Sequence, residues 1–171
     1  MAKVQSFEVK KNGLLKVMGI SFRVKMMDPE IVKQWDLFFK SEYPLTIENL
    51  RKKYPIDEPV DYVGLMYGYD PLEESMSYMI GMIMDPQTPD QKEVTNFFLK
   101  EGTFINAIIE GKGEVYPQAH DLTIKSIDGT KYRIAEDFWS MEVYTNERFM
   151  KAMNKGDGSI VLDYRIPLDL K

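Results

Sequence analysis

Leu14, Met18, Ile20, Phe22 and Val24 fall on one face of an extended segment, with Lys16 as the only interruption. A strand of this kind has one apolar face and needs a layer packed against it. The next segment supplies that layer. Asp28, Pro29 and Glu30 combine an N-cap residue, a proline at the first helical position and an acid in the first turn, which predicts a helix over 29–40. Within it Ile31, Trp35, Phe38 and Phe39 stand at i, i+4, i+7 and i+8, while Lys33, Asp36 and Lys40 can face water. Residues 61–69 and 75–84 then read as strands flanking the turn formers Asp70-Pro71-Leu72-Glu73-Glu74, an antiparallel hairpin.

The same order recurs in the second half. Residues 93–99 and 103–110 look extended, with Lys100-Glu101-Gly102 as the turn between them. A helix is expected over 117–127, carried by Ala119, Leu122, Thr123 and Ile127 and stopped by Asp128-Gly129. Strands follow at 139–145 and 159–167, with a helical turn between them around Phe149 and Met153. The turn segment Val9 to Leu15 resembles Leu99 to Phe104, and the element order repeats at roughly 80 to 90 residues. This predicts an α+β fold: two strand-helix-strand-strand repeats with pseudo-twofold symmetry, forming an antiparallel sheet with helices and a central ligand cleft. The Pro- and Asp-rich stretch 85–90 reads as a hinge, dividing a single domain over 1–171 into repeat one at about 1–85 and repeat two at about 91–171.

Composition removes whole classes of chemistry. The chain has 171 residues and no cysteine, so disulfides, thiol nucleophiles and thiolate-held metals are excluded, and His120 alone cannot build a multi-histidine site. No metal and no cofactor are expected. A net charge of -5 argues against the basic surface that nucleic acid requires, so direct contact with DNA or RNA is not expected. No apolar run approaches the ~20 residues of a membrane span, and residues 1–11 lack the layout of a signal peptide, so a cytoplasmic protein away from the membrane is expected. The chain is rich in Met (12), Tyr (10) and Phe (9), with two Trp, side chains able to fill a core or line an adaptable pocket.

Several segments, in order, resemble the GyrI-like family, the effector-binding domain of AraC-type and multidrug-responsive bacterial transcription activators. They are Val17-Met18-Gly19-Ile20-Ser21-Phe22-Arg23, Ile31-Val32-Lys33-Gln34-Trp35-Asp36-Leu37-Phe38-Phe39 and Tyr62-Val63-Gly64-Leu65-Met66-Tyr67. Later come Ser140-Met141-Glu142-Val143-Tyr144 and Val161-Leu162-Asp163-Tyr164-Arg165-Ile166-Pro167-Leu168. The likeness spans most of the chain and is greatest to stand-alone members, which lack a fused helix-turn-helix. It implies a central cleft for hydrophobic, often cationic, compounds, with a late-strand carboxylate facing the positive charge. By the motif that carboxylate is Glu142, and Trp35 and Tyr144 carry over with it. Relatives often have an aromatic where this chain has Met66, and their second helix is more apolar than the one bearing His120, Thr123 and Lys125.

The residues themselves bear several roles. Ser140, Glu142 and Tyr144 share one strand face, and Glu142 reads either as a site carboxylate or as a strand residue paired with Arg133, Arg148 or Arg165. Trp35, Phe38 and Phe39 form a core face that can also stack on a cation. Met66, Tyr67, Tyr78 and Trp139 are secondary candidates, with Tyr69 beside them; strand parity separates Met66 from Tyr67 and Tyr69. His120 reads as a satisfied or exposed histidine, and Glu73-Glu74 and Arg51-Lys52-Lys53 as solvated turns.

The leading expectation is a sensor or sequestering protein for a hydrophobic cation, partnered by a transcription regulator or another cytoplasmic protein. The alternative is a hydrolase of small electrophilic compounds with Glu142 as general base and Tyr144 or Trp35 orienting the substrate. A gyrase-modulating or general interaction protein follows from the family name alone.

Overall fold

The structure, a computed structural model, describes residues 1 to 171. Its strands and helices run β1 (Lys3–Asn12), β2 (Leu15–Lys25), α1 (Glu30–Lys40), α2 (Tyr43–Lys53), β3 (Tyr62–Asp70), β4 (Ser75–Met84), β5 (Thr95–Leu99) and β6 (Gly102–Gly111). Then come α3 (Val115–Lys125), β7 (Tyr132–Ile134), β8 (Trp139–Tyr144), a π-helical turn (Asn146–Met150), α4 (Lys151–Met153) and β9 (Ile160–Leu170). None of the helices is long and apolar enough to cross a membrane. The chain divides into two units, a central one over 13–101 and a flanking one over 1–12 and 102–171.

The central unit is an antiparallel sheet in the order β5-β2-β4-β3, with α1 and α2 on one face. Met18, Ile20, Phe22 and Val24 of β2 lie on the helix-covered face with Tyr78, Ile80 and Met82 of β4, packed against Trp35, Phe38 and Ile47. This is the alternation read from the sequence, except that Leu14 precedes the strand and is exposed. Lys16 points the same way and is only 2% exposed. Its ammonium is satisfied by the Thr88 carbonyl at 2.7 Å and the Asp90 carboxylate at 2.6 Å. The 85–90 stretch expected as a hinge thus lies within this unit, tied to β2 by a buried lysine.

Asp28 accepts from the Glu30 amide just ahead of α1, which begins one residue later than expected, with Pro29 in the N-cap position. Helix α2 was not anticipated, because Pro44 within it, Pro55 and Pro59 just after it and a mixed composition obscured it. Its signals are Pro44 in the first turn, Tyr43, Ile47 and Leu50 on one side, and basic residues in the last turn. Arg51, expected in a solvated turn, is buried and donates to the carbonyls of Ile56 and Glu58. The β3–β4 hairpin forms as predicted, with a register irregularity after Tyr67.

The flanking unit repeats the plan: β1-β6-β9-β8, all antiparallel, with β7 added to β9 and α3 packed on the sheet. The hairpin expected from 93–110 does not form. β5 pairs with β2, while both edges of β6 are taken by β1 and β9. A tight turn at Lys100-Glu101 fits a hairpin and equally a passage of the chain from one unit to the other, and local sequence does not separate the two. Strand β1 went unread because Gln5, Ser6, Glu8, Lys10 and Lys11 interrupt Val4, Phe7 and Val9, leaving no clean alternation. The helical turn around Phe149 and Met153 is present as the π-helical turn and α4.

Gly19 and Gly81 are directly opposed on β2 and β4. A Cβ on Gly19 would lie 2.1 Å from the Ile80 carbonyl oxygen, and one on Gly81 would lie 2.0 Å from that of Met18. The obstacle is backbone, which has no rotamer with which to yield. Gly19→Ala is therefore expected to destabilise the fold by about 1–3 kcal/mol. Thermal unfolding should show this as a drop of roughly 2–4 °C per kcal/mol. Gly113→Ala, which meets open space, serves as the unperturbed control.

Candidate functional site

In the flanking unit β8 presents Ser140, Glu142 and Tyr144 on one face, as parity requires. Glu142 is 9% exposed, and the Tyr144 hydroxyl donates to its Oε2 at 2.7 Å. Opposite Glu142 in register stands Tyr164 of β9, nearly fully buried on the same face. Helix α3 covers this face and brings Tyr116 and His120, whose Nδ1 lies 3.3 Å from the Tyr164 hydroxyl. The carboxylate thus shares this face with three phenols, one of them bonded to it and another in contact with the imidazole.

The electrostatics follow from burial. Desolvation pushes the Tyr164 hydroxyl up; its hydrogen bond with the Ser140 hydroxyl acts against this, and the charges of Glu142 and Asp121 add to it. Tyr116 is raised by desolvation and then by Glu142. Both phenols remain protonated and can serve as neutral donors. His120 is lowered by burial, partly offset by Asp121, so its neutral form is favoured.

Two of the arginines weighed as partners for Glu142 are engaged on the other sheet face. Arg148 clasps the buried Asp163 with two bonds of 2.7 Å, and Arg165 donates to Asn106 Oδ1 at 3.0 Å. Arg148 belongs to the π-helical turn, which Thr145 caps through the amides of Arg148 and Phe149. The next residue, Phe149, sets its ring edge-on to Tyr144 at 4.8 Å between centroids. The turn is therefore anchored to β9 through Arg148 and braces the end of β8 through Phe149, on the side of the phenol that holds Glu142. Trp139 is buried on the face of β8 opposite Glu142.

The central unit carries a second aromatic group. Trp35 Nε1–H donates to the Tyr78 hydroxyl at 3.1 Å, and Tyr78, buried, has Phe22 and Met66 as its cross-strand partners. Phe39 stacks on Trp35 at 5.9 Å and meets Tyr62 edge-on at 5.1 Å, yet it is 54% exposed. Phe38 is buried in the core. Tyr62 donates to Glu48, and burial together with that carboxylate raises its pKa, keeping it protonated. Tyr67 points to the opposite sheet face, bonded to Ser21 at 2.9 Å with its ring against Phe97, and Tyr69 is exposed.

Of the residues proposed from sequence, the structure brings Glu142 and Tyr144 together in one unit and Trp35 and Tyr78 together in the other; Tyr164, Tyr116, Tyr62 and Phe149, which were not proposed, stand on the same faces or against the same rings. Tyr164 stood in a segment already quoted, but only the β8–β9 register reveals it as the neighbour of Glu142.

No family model matches the sequence, and no curated protein does. Solved structures do match. The fold is shared. SAV2435 bound to tetraphenylphosphonium aligns with TM-score 0.58 and 13% identity over 96% of this chain and 94% of that one. The C-terminal domain of EcmrR aligns with TM-score 0.56 and 13% identity over 97% of this chain and 98% of that one. A hydrolase from Listeria innocua aligns with TM-score 0.59 and 9% identity over 98% of this chain and 93% of that one.

Removing the Tyr78 hydroxyl takes away one partner of the Trp35 indole. Tyr78→Phe is expected to cost about 0.5–1.5 kcal/mol, measured by chemical denaturation. It should also shift indole emission, a change that Tyr67→Phe, on the other sheet face, should not produce.

Proposed function

We propose that this protein is an effector-binding protein of the GyrI-like type that captures a hydrophobic cation, with Glu142 supplying the counter-charge and Tyr144 orienting it. The observation that carries this reading is the buried Glu142 carboxylate, held by a phenol at 2.7 Å and flanked by two further protonated phenols. A buried anion is costly unless compensated, and a soft cation with aromatic substituents compensates it while the ring faces gain cation–π attraction. The acidic net charge favours the approach of such ligands. The fold is shared with a protein solved with tetraphenylphosphonium, which supports this ligand class. It is also shared with a domain of EcmrR, which has been solved in a complex with DNA, and this supports a link to transcription regulation through a partner. In the central unit, Trp35, Phe39 and Met66 are a separate aromatic and apolar element, to be tested by itself.

A hydrolase reading rests on the likeness to the Listeria innocua enzyme and on the Glu142–Tyr144 pair, which has the form of a base with an adjacent donor. Titration calorimetry with tetraphenylphosphonium separates the two. Wild type is expected to bind, and Glu142→Gln to weaken binding by at least about tenfold, or 1.4 kcal/mol, without loss of folding. Equal affinity in the two proteins would sink the role of Glu142. Turnover of epoxide or cyclopropyl substrates, lost in the same variant, would favour the hydrolase.

A further inference from the structure

Glu142 and Tyr144 are two residues apart on β8, so their Cα atoms are separated by ~6.5–7 Å and both side chains leave the same face. Strand side chains stand roughly perpendicular to their sheet, and the phenol is the longer of the two. An upright Tyr144 ring would carry its hydroxyl past the carboxylate. The bond of 2.7 Å to Glu142 Oε2 therefore requires the ring to lean back along β8. Strand geometry alone does not select that lean.

The π-helical turn that follows supplies the selection. The Thr145 carbonyl accepts the Met150 amide at 3.0 Å, and the Thr145 hydroxyl accepts the amides of Arg148 at 3.1 Å and Phe149 at 3.4 Å. The turn closes one residue wider than an α-helical one, a rare geometry found mostly at functional sites. Arg148 leaves it toward the other sheet face, where Nε and Nη2 each meet the buried Asp163 carboxylate at 2.7 Å. Phe149 leaves it toward Tyr144, the two rings crossing at 82° with 4.8 Å between centroids. This is a favourable edge-to-face arrangement, and it is lost if the phenol changes inclination.

We propose that Phe149 is a positioning residue for the acidic site: seated by the π-helical turn and the Arg148–Asp163 pair, it holds the Tyr144 ring in the inclination that keeps the hydroxyl on Glu142. The consequence for a ligand rests on the cation-binding reading given above, whereas the placement of the hydroxyl does not. Without the Phe149 ring the phenol regains other rotamers, and the carboxylate loses a donor that favours its charged form. A cation then meets an acid whose position is no longer fixed, and it binds less tightly.

The Glu142 carboxyl reports the bond directly. Its titration is followed by carbon-detected NMR without ligand in wild type, Phe149→Ala, Tyr144→Phe and the double variant. A carboxylate that loses a donor titrates higher, so both single variants are expected at least about half a pH unit above wild type. In the Tyr144→Phe background there is no hydroxyl to place, and adding Phe149→Ala is expected to change the midpoint no further. Tyr116 and Tyr164, which also feel this carboxylate, are common to all four proteins. Arg148→Lys keeps the charge but gives up the two-bond fork, and it is expected to raise the midpoint by less. Affinity for tetraphenylphosphonium at pH 7.5 is expected to fall at least about threefold in Phe149→Ala, again with no further loss on the Tyr144→Phe background.

A merely structural ring would lower the thermal stability of Phe149→Ala and leave the Glu142 titration where it is, which would overturn the proposal. So would a Phe149→Ala shift that keeps its full size in the double variant. An unmoved midpoint in Arg148→Lys would remove the ion pair from the assignment. If Phe149→Ala does not fold, Phe149→Leu, which keeps apolar bulk without the ring, takes its place with the same expected direction. If folded wild type fails to bind the phosphonium, the cation-binding reading fails by itself, and the ligand-free titration still decides the role of Phe149.

Discussion

Two strands of the central unit approach so closely at Gly19 and Gly81 that neither residue can carry a Cβ. This contact locks β2 to β4 in one register. A slip by a single residue would drive a side chain into a carbonyl group and would also turn the apolar set of each strand to the wrong face. From that register follow the pairings of Ile20 with Ile80 and of Phe22 with Tyr78, and hence the position of the hydroxyl that holds the Trp35 indole. The aromatic group of this unit is therefore a consequence of two missing side chains.

The flanking unit reaches its arrangement by a different device. Its β8–β9 pairing sets Glu142 beside Tyr164 on one face and Val143 beside Asp163 on the other. Asp163 is buried and would be costly alone, but Arg148 meets it with two bonds and Asn106 adds a third. Because Arg148 lies in the capped π-helical turn next to Phe149, satisfying that charge also places the ring that braces Tyr144. Structural and candidate functional polar groups are thus separated by the sheet. The ion pair lies on one side, and the carboxylate with its phenols lies on the other.

Much of the fold was legible from local pattern. Strand β2, helix α1, the β3–β4 hairpin, α3 and the closing strands all announced themselves through periodicity and turn chemistry. The failures share a cause. β1 and α2 bury too little apolar surface to carry a clear period, and β5 is too short to declare its partner. Lys16 looked like a flaw in an apolar strand because its compensation, the Thr88 carbonyl and the Asp90 carboxylate, lies more than seventy residues away. Arg51 looked solvated for the same reason, its acceptors being backbone carbonyls that carry no sequence signal.

The site divides in the same manner. Alternation along β8 suffices to put Ser140, Glu142 and Tyr144 on one face, and helical spacing gathers Ile31, Trp35 and Phe38 on one side of α1, since these relations depend only on strand and helix geometry. The absence of cysteine and the solitary His120 likewise narrow the chemistry without any coordinates. The facing of Tyr164 toward Glu142, the reach of His120 to that phenol and the exposure of Phe39 depend on register and on which face a helix covers. Those were decided only by the tertiary structure, because cross-strand pairing joins residues whose separation along the chain carries no periodic trace.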